Sequence, residues 1–250
     1  MTRQIIEIAK AFKGKTVITK KELSAYIRGI NSSATEAGIR QRISRLKKAG
    51  IIISIGKGVY AFSNKPVYIY PDDKFITGLS QLFTTQYPGI NYCIWSSAWL
   101  YDFIVHQPVH FFYLFETEPD MVEILFNLLK DRGYKVFFNP DEQIMQLYVV
   151  GEKNPVVVRS MVSRAPLVKR KAIKFPALEK MLVDAYIDKK LFYFIQGKEI
   201  ENLYRFSFNG YSIHLSRMLN YAGRRGIRNE IVDFAKRNVQ GLNRILTNDQ

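Results

Sequence analysis

"TEAGIRQRISRLKKAGIIISIGKGVYAF", Thr35 to Phe62, carries five Lys or Arg between positions 40 and 48, a sixth at Lys57, and a single acid, Glu36. At about 100° per residue, Ile39, Ile43 and Leu46 share one stripe. Gln41, Ser44, Arg45 and Lys48 lie opposite it, with Arg40 and Arg42 on the flanks. The spacing predicts a helix inside residues 31–50, opened by a capping box of Ser33 with Glu36 and stopped by Gly50. "IIISIGKGVYAF" then reads as two short β-rich runs around the tight turn Gly56-Lys57-Gly58. A basic amphipathic helix followed by a glycine-flanked hairpin suits a nucleic-acid groove and its neighbouring backbone, yet it equally describes a solvated surface helix. The flanking sequence decides between them.

Upstream, "RQIIEIAKAF" places Ile5, Ile8 or Ala9, and Phe12 at helical spacing before Gly14. "TKKELSAYI" opens with Thr19 and Glu22, a second capping box, and puts Leu23, Tyr26 and Ile27 on one face. Three helices and then a hairpin is the order of a winged helix-turn-helix, whose third helix enters the major groove. On that reading Ser32, Ser33 and Thr35 donate to phosphate at the helix N-terminus, where backbone amides are also free. Arg40 and Gln41 read guanine and adenine edges through bidentate contacts. Arg45, Lys48 and Lys57 bind phosphate, and Arg42 and Ser44 complete the face.

The net charge of +15 is unevenly spread. Residues 1–62 carry 13 basic and 3 acidic side chains, residues 63–158 carry 6 and 11, and residues 159–250 carry 18 and 8. A uniformly cationic chain would not change sign in its middle third, so at least two functional surfaces are expected, with a boundary near residue 63. The expected domains are a winged helix-turn-helix over 1–63 and an α/β domain over 64–250. One cysteine, Cys93, allows no internal disulfide; no signal-peptide pattern opens the chain and no run spans a bilayer. A cytoplasmic, non-membrane protein is expected.

"SNKPVYIYPDDK" reads as an extended linker. Beyond it, a helix around Ile76 to Phe83 is followed by "INYCIW", "SSAWLYDFI", "PVHFFYLF", "PDMVEILFNLLKDRG", "YKVFF", "IMQLYVV" and "PVVVRSMV". These read as strand, helix, strand, helix and then three strands, a mixed sheet covered by helices. A helical tail follows, with helices expected near 177–188, 190–205, 209–223 and 226–240. The fold class is α/β (α+β). The aromatics of "SSAWLYDF", with Ser96 or Ser97 as N-cap, belong to a core, although Trp95 or Trp99 could line a groove.

Chemistry is sparse in this part. His106, His110 and His214 have no metal-ligand spacing with Cys93. Asp141, Glu152 and Lys153 superficially match a metal-dependent nuclease, but adjacent Glu152 and Lys153 would face opposite ways on a strand. No phosphate-cradling loop or nucleophile elbow occurs. No catalytic residue, metal or cofactor is expected; the enzyme alternative is a DNA-targeted nuclease or nucleotidyltransferase. "SRMLNYAGRRGIRNEIVDFAKR" sets Arg217, Arg224, Arg225, Arg228 and Arg237 around a Gly223-Arg-Arg-Gly226 break. They form a second basic patch, readable as a solvated edge, a second DNA-backbone contact, or a seat for an acidic protein or RNA phosphate.

Taken together, "RISRLKKAGIIISIGKGVYAF", "YCIWSSAWLYDF", "HFFYLFE" and "FPALEKMLVDAY" before a helical tail resemble the AbiEi-like antitoxins. These are the transcriptional-regulator partners of type IV toxin–antitoxin, abortive-infection systems. The resemblance runs through nearly the whole chain as domain order and pattern. It implies an N-terminal domain that represses its own promoter by binding double-stranded operator DNA, with Arg40, Gln41, Arg42, Arg45, Lys48 and Lys57 as contacts. It also implies a C-terminal domain that antagonises a nucleotidyltransferase toxin or meets that toxin's RNA substrate, as part of phage defence. It names no toxin-contacting residue, and no heptad pattern indicates how copies would associate.

Overall fold

The computed structural model describes residues 7–8, 11–12, 17–48, 51–62, 65–239 and 242 of the 250-residue chain. Most of the helix expected over 3–12, including Ile5 and Ala9, lies outside the described residues; Glu7, Ile8 and Ala11 are helical. β1 (Val17–Thr19) runs into α1 (Lys20–Ile30), then α2 (Glu36–Lys48), β2 (Ile52–Gly56) and β3 (Val59–Phe62). The three strands form an antiparallel sheet in the order β1-β3-β2. Helical spacing and strand-facing positions explain the core beneath it: Leu23 and Ile27 on α1, Ile39, Ile43 and Leu46 on α2, and Ile18, Ile52 and Tyr60 on the strands are all buried together with Ile8.

The Thr19–Glu22 capping box forms in full, with the Thr19 N–H donating to Glu22 Oε2 at 2.8 Å and the Glu22 N–H donating to Thr19 Oγ1 at 3.2 Å. The second expected box does not form. Thr35, one residue before α2, caps it by accepting the Gly38 N–H at 3.1 Å. Ser33 is instead drawn to Asn31 Oδ1 by its N–H at 3.2 Å and its hydroxyl at 2.7 Å. Glu36 turns to Arg28 on α1. A hydroxyl adjacent to the first helical turn outcompetes one two residues further back because its oxygen already lies beside the free amides.

A second, larger core gathers residues 68 to 242. Its four-stranded sheet has the order β4 (Tyr92–Ser96), β5 (Tyr113–Thr117), β7 (Val156–Ser160), β6 (Val136–Phe138). β4 is antiparallel to β5, whereas β5, β7 and β6 are mutually parallel. α3 (Lys74–Gln86) and α4 (Val122–Asp131) flank it, and a 3₁₀ helix, Ser97–Phe103, follows β4 with Ser96 as its cap. Trp95 and Trp99 are both core residues. The chain is thus a mixed α/β protein.

Three stretches depart from the expected elements. "IMQLYVV" is helical, Glu142–Ile144 continuing into a π turn over Met145–Val149. Parallel neighbours cannot be joined by a hairpin, so the β6–β7 connection must cross back, and the segment buries Met145 and Val149 while exposing Leu147 and Tyr148. Residues 167–176 form an unexpected hairpin, β8 (Leu167–Arg170) with β9 (Ile173–Pro176), turned at Lys171 with φ 55°. Its turn lacks the glycine or asparagine that usually marks a left-handed position. The helix expected near 190–205 begins only at Lys198; Leu191, Phe192 and Ile195 are buried in turns that end at Gly197, φ 58°.

The helical tail comprises α5 (Leu178–Ile187), α6 (Lys198–Gly210), α7 (Leu215–Arg224) and α8 (Arg228–Asn238). α7 ends in a Schellman motif: Gly226 sits at φ 77° and donates to Gly223 O at 3.1 Å, and Ile227 donates to Ala222 O at 2.9 Å. The extended linker expected over 63–74 has no helix or strand over 65–73, and it is fastened to the second core. Tyr68 and Tyr70 are buried while Val67 and Ile69 face out, Tyr70 donates its hydroxyl to Pro176 O at 2.7 Å, and the Ser212 N–H donates to Pro66 O at 2.9 Å.

Candidate nucleic-acid interface

Burying Ile39, Ile43 and Leu46 forces the opposite side of α2 outward. Arg40, Gln41, Ser44 and Arg45 are exposed and Arg42 is half-buried. Lys48 ends the helix, and its side chain lies outside the described residues. Ser32, Ser33 and Thr35 are exposed at the entrance to α2. Thr35 accepts through its oxygen and keeps a hydroxyl proton to donate, whereas the Ser33 proton is engaged by Asn31. Among the described residues, no carboxylate pairs with Arg40, Arg42 or Arg45.

The hairpin that follows α2 is anchored at its tip. The Lys20 N–H donates to Gly58 O at 2.6 Å, and a Cβ on Gly58, φ 74°, would meet Lys20 Cβ at 3.6 Å. Lys57 is therefore held exposed on a fixed turn next to the start of α1. Lys47 points elsewhere: its ammonium lies 5.3 Å from the Tyr60 ring centroid and borders a cavity of about 530 Å³ between the two cores. Tyr68, Tyr70, Glu179, His214 and Arg217 also line that cavity, and β2 approaches α7 beside it. Burial pushes the His214 ring down to about 4, helped by the Arg217 and Lys47 charges. The second core thus meets the N-terminal unit near Lys47 and β2, while Arg40, Gln41, Ser44 and Arg45 stay exposed.

The five arginines expected as a second patch divide. Arg225 is drawn inward, with Nη1 at 2.9 Å from Asp184 Oδ1 and Nη2 at 2.5 Å from Asp188 Oδ1. It joins a network in which Lys180 Nζ lies 2.5 Å from both Glu116 Oε2 and Asp184 Oδ2, and Arg159 reaches Glu116 at 2.9 Å and Asp188 at 2.6 Å. Tyr221 adds a hydroxyl to Asp184 Oδ1 at 2.7 Å. Burial alone would neutralise Lys180, but Asp184 and Glu116 hold its pKa well above the ordinary lysine value. The Asp184 carboxyl, which burial would raise, is held low by Lys180, Arg159 and Arg225. Three cations and three carboxylates balance, so this cluster ties β5, β7, α5 and the end of α7 together and leaves no free charge.

Arg217, Arg224 and Arg228 do converge, on a concavity of about 640 Å³ that also takes Arg164, which no sequence signal linked to them. Arg237 is exposed further along α8 and does not line it. Among the described residues no three His, Cys, Asp or Glu are grouped as metal ligands. Asp141 caps the 142–149 helix by accepting the Ile144 N–H at 2.8 Å, and Glu152 pairs with Lys135 at 3.5 Å. His106 stands against Glu199, whose carboxyl burial would raise but the His106 ring and the Val105 N–H hold down to about 2. Among the described residues no helix is long and apolar enough to cross a membrane.

No curated protein matches the chain. A family model matches residues 38–241, from the first turns of the basic helix α2 through to the end of α8, and by that match the chain belongs to the family of unknown function DUF6577.

Proposed function

We propose that the protein is a DNA-binding transcriptional regulator of the winged helix-turn-helix type, the antitoxin of a type IV toxin–antitoxin system acting in phage defence. It occludes its own promoter with α2 and the Lys57 turn, and its second core antagonises a nucleotidyltransferase toxin. The observation that carries this reading is the division of α2: Ile39, Ile43 and Leu46 buried on one side, and Arg40, Gln41, Ser44 and Arg45 exposed on the other without carboxylate partners among the described residues. Arg40 and Gln41 near the start of α2 suit base edges, and Arg42, Arg45, Lys48 and Lys57 suit phosphates. The resemblance to AbiEi-like antitoxins supports the same assignment and adds the toxin.

A reporter fused to the DNA upstream of the gene tests the regulator half. Wild-type protein should repress it, and Arg40→Ala with Gln41→Ala should relieve repression at unchanged protein level. Co-expression with an adjacent nucleotidyltransferase gene tests the antitoxin half; failure to restore growth would remove the toxin from the proposal.

A further inference from the structure

The four-arginine concavity contrasts with the buried ion network nearby. Where the fold buries cations it matches them one for one, as with Lys180, Arg159 and Arg225 against Glu116, Asp184 and Asp188. Around the concavity it does not: Arg164, Arg217, Arg224 and Arg228 line it, and no carboxylate among the described residues does. Arg224 donates to Ser163 Oγ at 3.0 Å, Arg217 has only a distant partner, Glu179 at 3.9 Å, and Arg164 and Arg228 have no acidic partner among the described residues.

These side chains are assembled by the fold. Arg164 sits at φ 55° in the turn before β8, Arg217 and Arg224 are two turns apart on α7, and the Schellman turn at Gly226 brings Arg228 back beside them. Arg228 is the first residue of α8, whose N-cap, Ile227, provides no side-chain bond to the free amides. Its stem lies against Gly223, where an added Cβ would be 3.9 Å from Arg228 Cβ. Like charges held around one hollow favour an anion between them, and guanidinium forks match phosphate oxygens in pairs.

We propose that this concavity is an oligophosphate site, taking two or three linked phosphates of a small molecule. Arg217 also lines the neighbouring cavity of about 530 Å³ with Tyr68, Tyr70, Leu178, His214 and Lys47, so an organic group attached to the phosphates has room to enter and reach the N-terminal unit. Free polyphosphate and a nucleoside triphosphate share this chemistry. The site is independent of the assignment of α2 to DNA.

Isothermal titration of the full-length protein with tripolyphosphate, ATP, GTP and orthophosphate tests it. Tripolyphosphate should bind with one site per chain and at least about tenfold more tightly than orthophosphate, because a single phosphate engages fewer of the guanidiniums. Arg224→Ser with Arg228→Ser should weaken it at least about tenfold at an unchanged Tm, and so should Gly223→Leu, which fills the hollow and keeps all four charges. A nucleoside triphosphate binding about tenfold tighter still would assign the ligand to nucleotides, and equal affinity to free polyphosphate. The proposal is overturned if neither ligand binds, if several bind per chain, or if Gly223→Leu leaves affinity intact, since surface charge alone would then suffice. Loss of duplex affinity in the double variant without any tripolyphosphate binding would also overturn it.

Discussion

Arg224 and Arg225 are neighbours with opposite roles: one borders an open concavity and the other closes a buried ion network. Nothing in "AGRRG" separates them, because the difference lies in where the end of α7 points relative to Asp184 and Asp188 on a helix forty residues earlier. The network's other members, Lys180 and Asp184, stand four apart on α5 and could be paired from sequence alone, but Glu116 and Arg159 meet only through strand register. Removing one partner leaves charges stranded, so Lys180→Met is expected to destabilise the fold by about 3–5 kcal/mol in chemical denaturation. A change below about 1 kcal/mol would show that the cluster is not desolvated as described. His214 makes a prediction in pH. Its ring is held at about 4, below the ordinary 6.5, so the unfolded chain takes up a proton first as pH falls. The contribution of the neutral ring to stability is therefore fully present above about pH 6.5 and is lost as the pH falls from 6.5 to 4. The drop in urea midpoint from about pH 7 to 5.5 should be smaller for His214→Gln than for wild type.

At the scale of elements, α2 was legible because its phase, its charge and its end signals coincide. Even there the capping hydroxyl lies two residues beyond the predicted Ser33, since both Ser33 and Thr35 carry a suitable hydroxyl and only backbone position decides. Thr35→Ala should cost about 1 kcal/mol in unfolding free energy and Ser33→Ala distinctly less. The 142–149 segment and the 167–176 hairpin were not legible. The first has β-rich composition but serves a crossover imposed by parallel pairing of β6 with β7. The second turns on Lys171, a residue type that gives no turn signal. The Gly56-Lys57-Gly58 turn was legible, and its lysine carries a prediction: Lys57→Ala should reduce the slope of log affinity for duplex against log salt by about 1, with no change in sequence preference.

Across the whole molecule, the sign changes along the chain marked two cationic regions, and the structure gives each a distinct setting. The first is the outward face of α2 and its hairpin, over a small core of its own. The second is mostly arginine at the junction of α7 and α8, with one member withdrawn into the larger core. Sequence composition could not show that the segment at 65–73 is strapped down through Tyr68, Tyr70 and Pro66, because Val67, Tyr68, Ile69 and Tyr70 are all apolar or aromatic and their strand-like alternation of exposed and buried positions leaves no polar trace. The strap, together with Lys47 and β2 against α7, keeps the N-terminal unit beside the second core while Arg40, Gln41 and Arg45 face solvent.

The most direct measurement is fluorescence anisotropy of wild-type protein and of Arg40→Ala and Arg45→Ala on duplex from upstream of the gene and on a scrambled duplex, across a salt titration. With about four phosphate contacts from Arg42, Arg45, Lys48 and Lys57, affinity should fall roughly 100-fold between about 50 and 200 mM salt. Arg45→Ala should flatten that slope, and Arg40→Ala should cost about 1–3 kcal/mol on the upstream duplex and little on the scrambled one. Binding that is indifferent to both substitutions, or no binding to either duplex at low salt, would contradict the assignment of α2 to DNA.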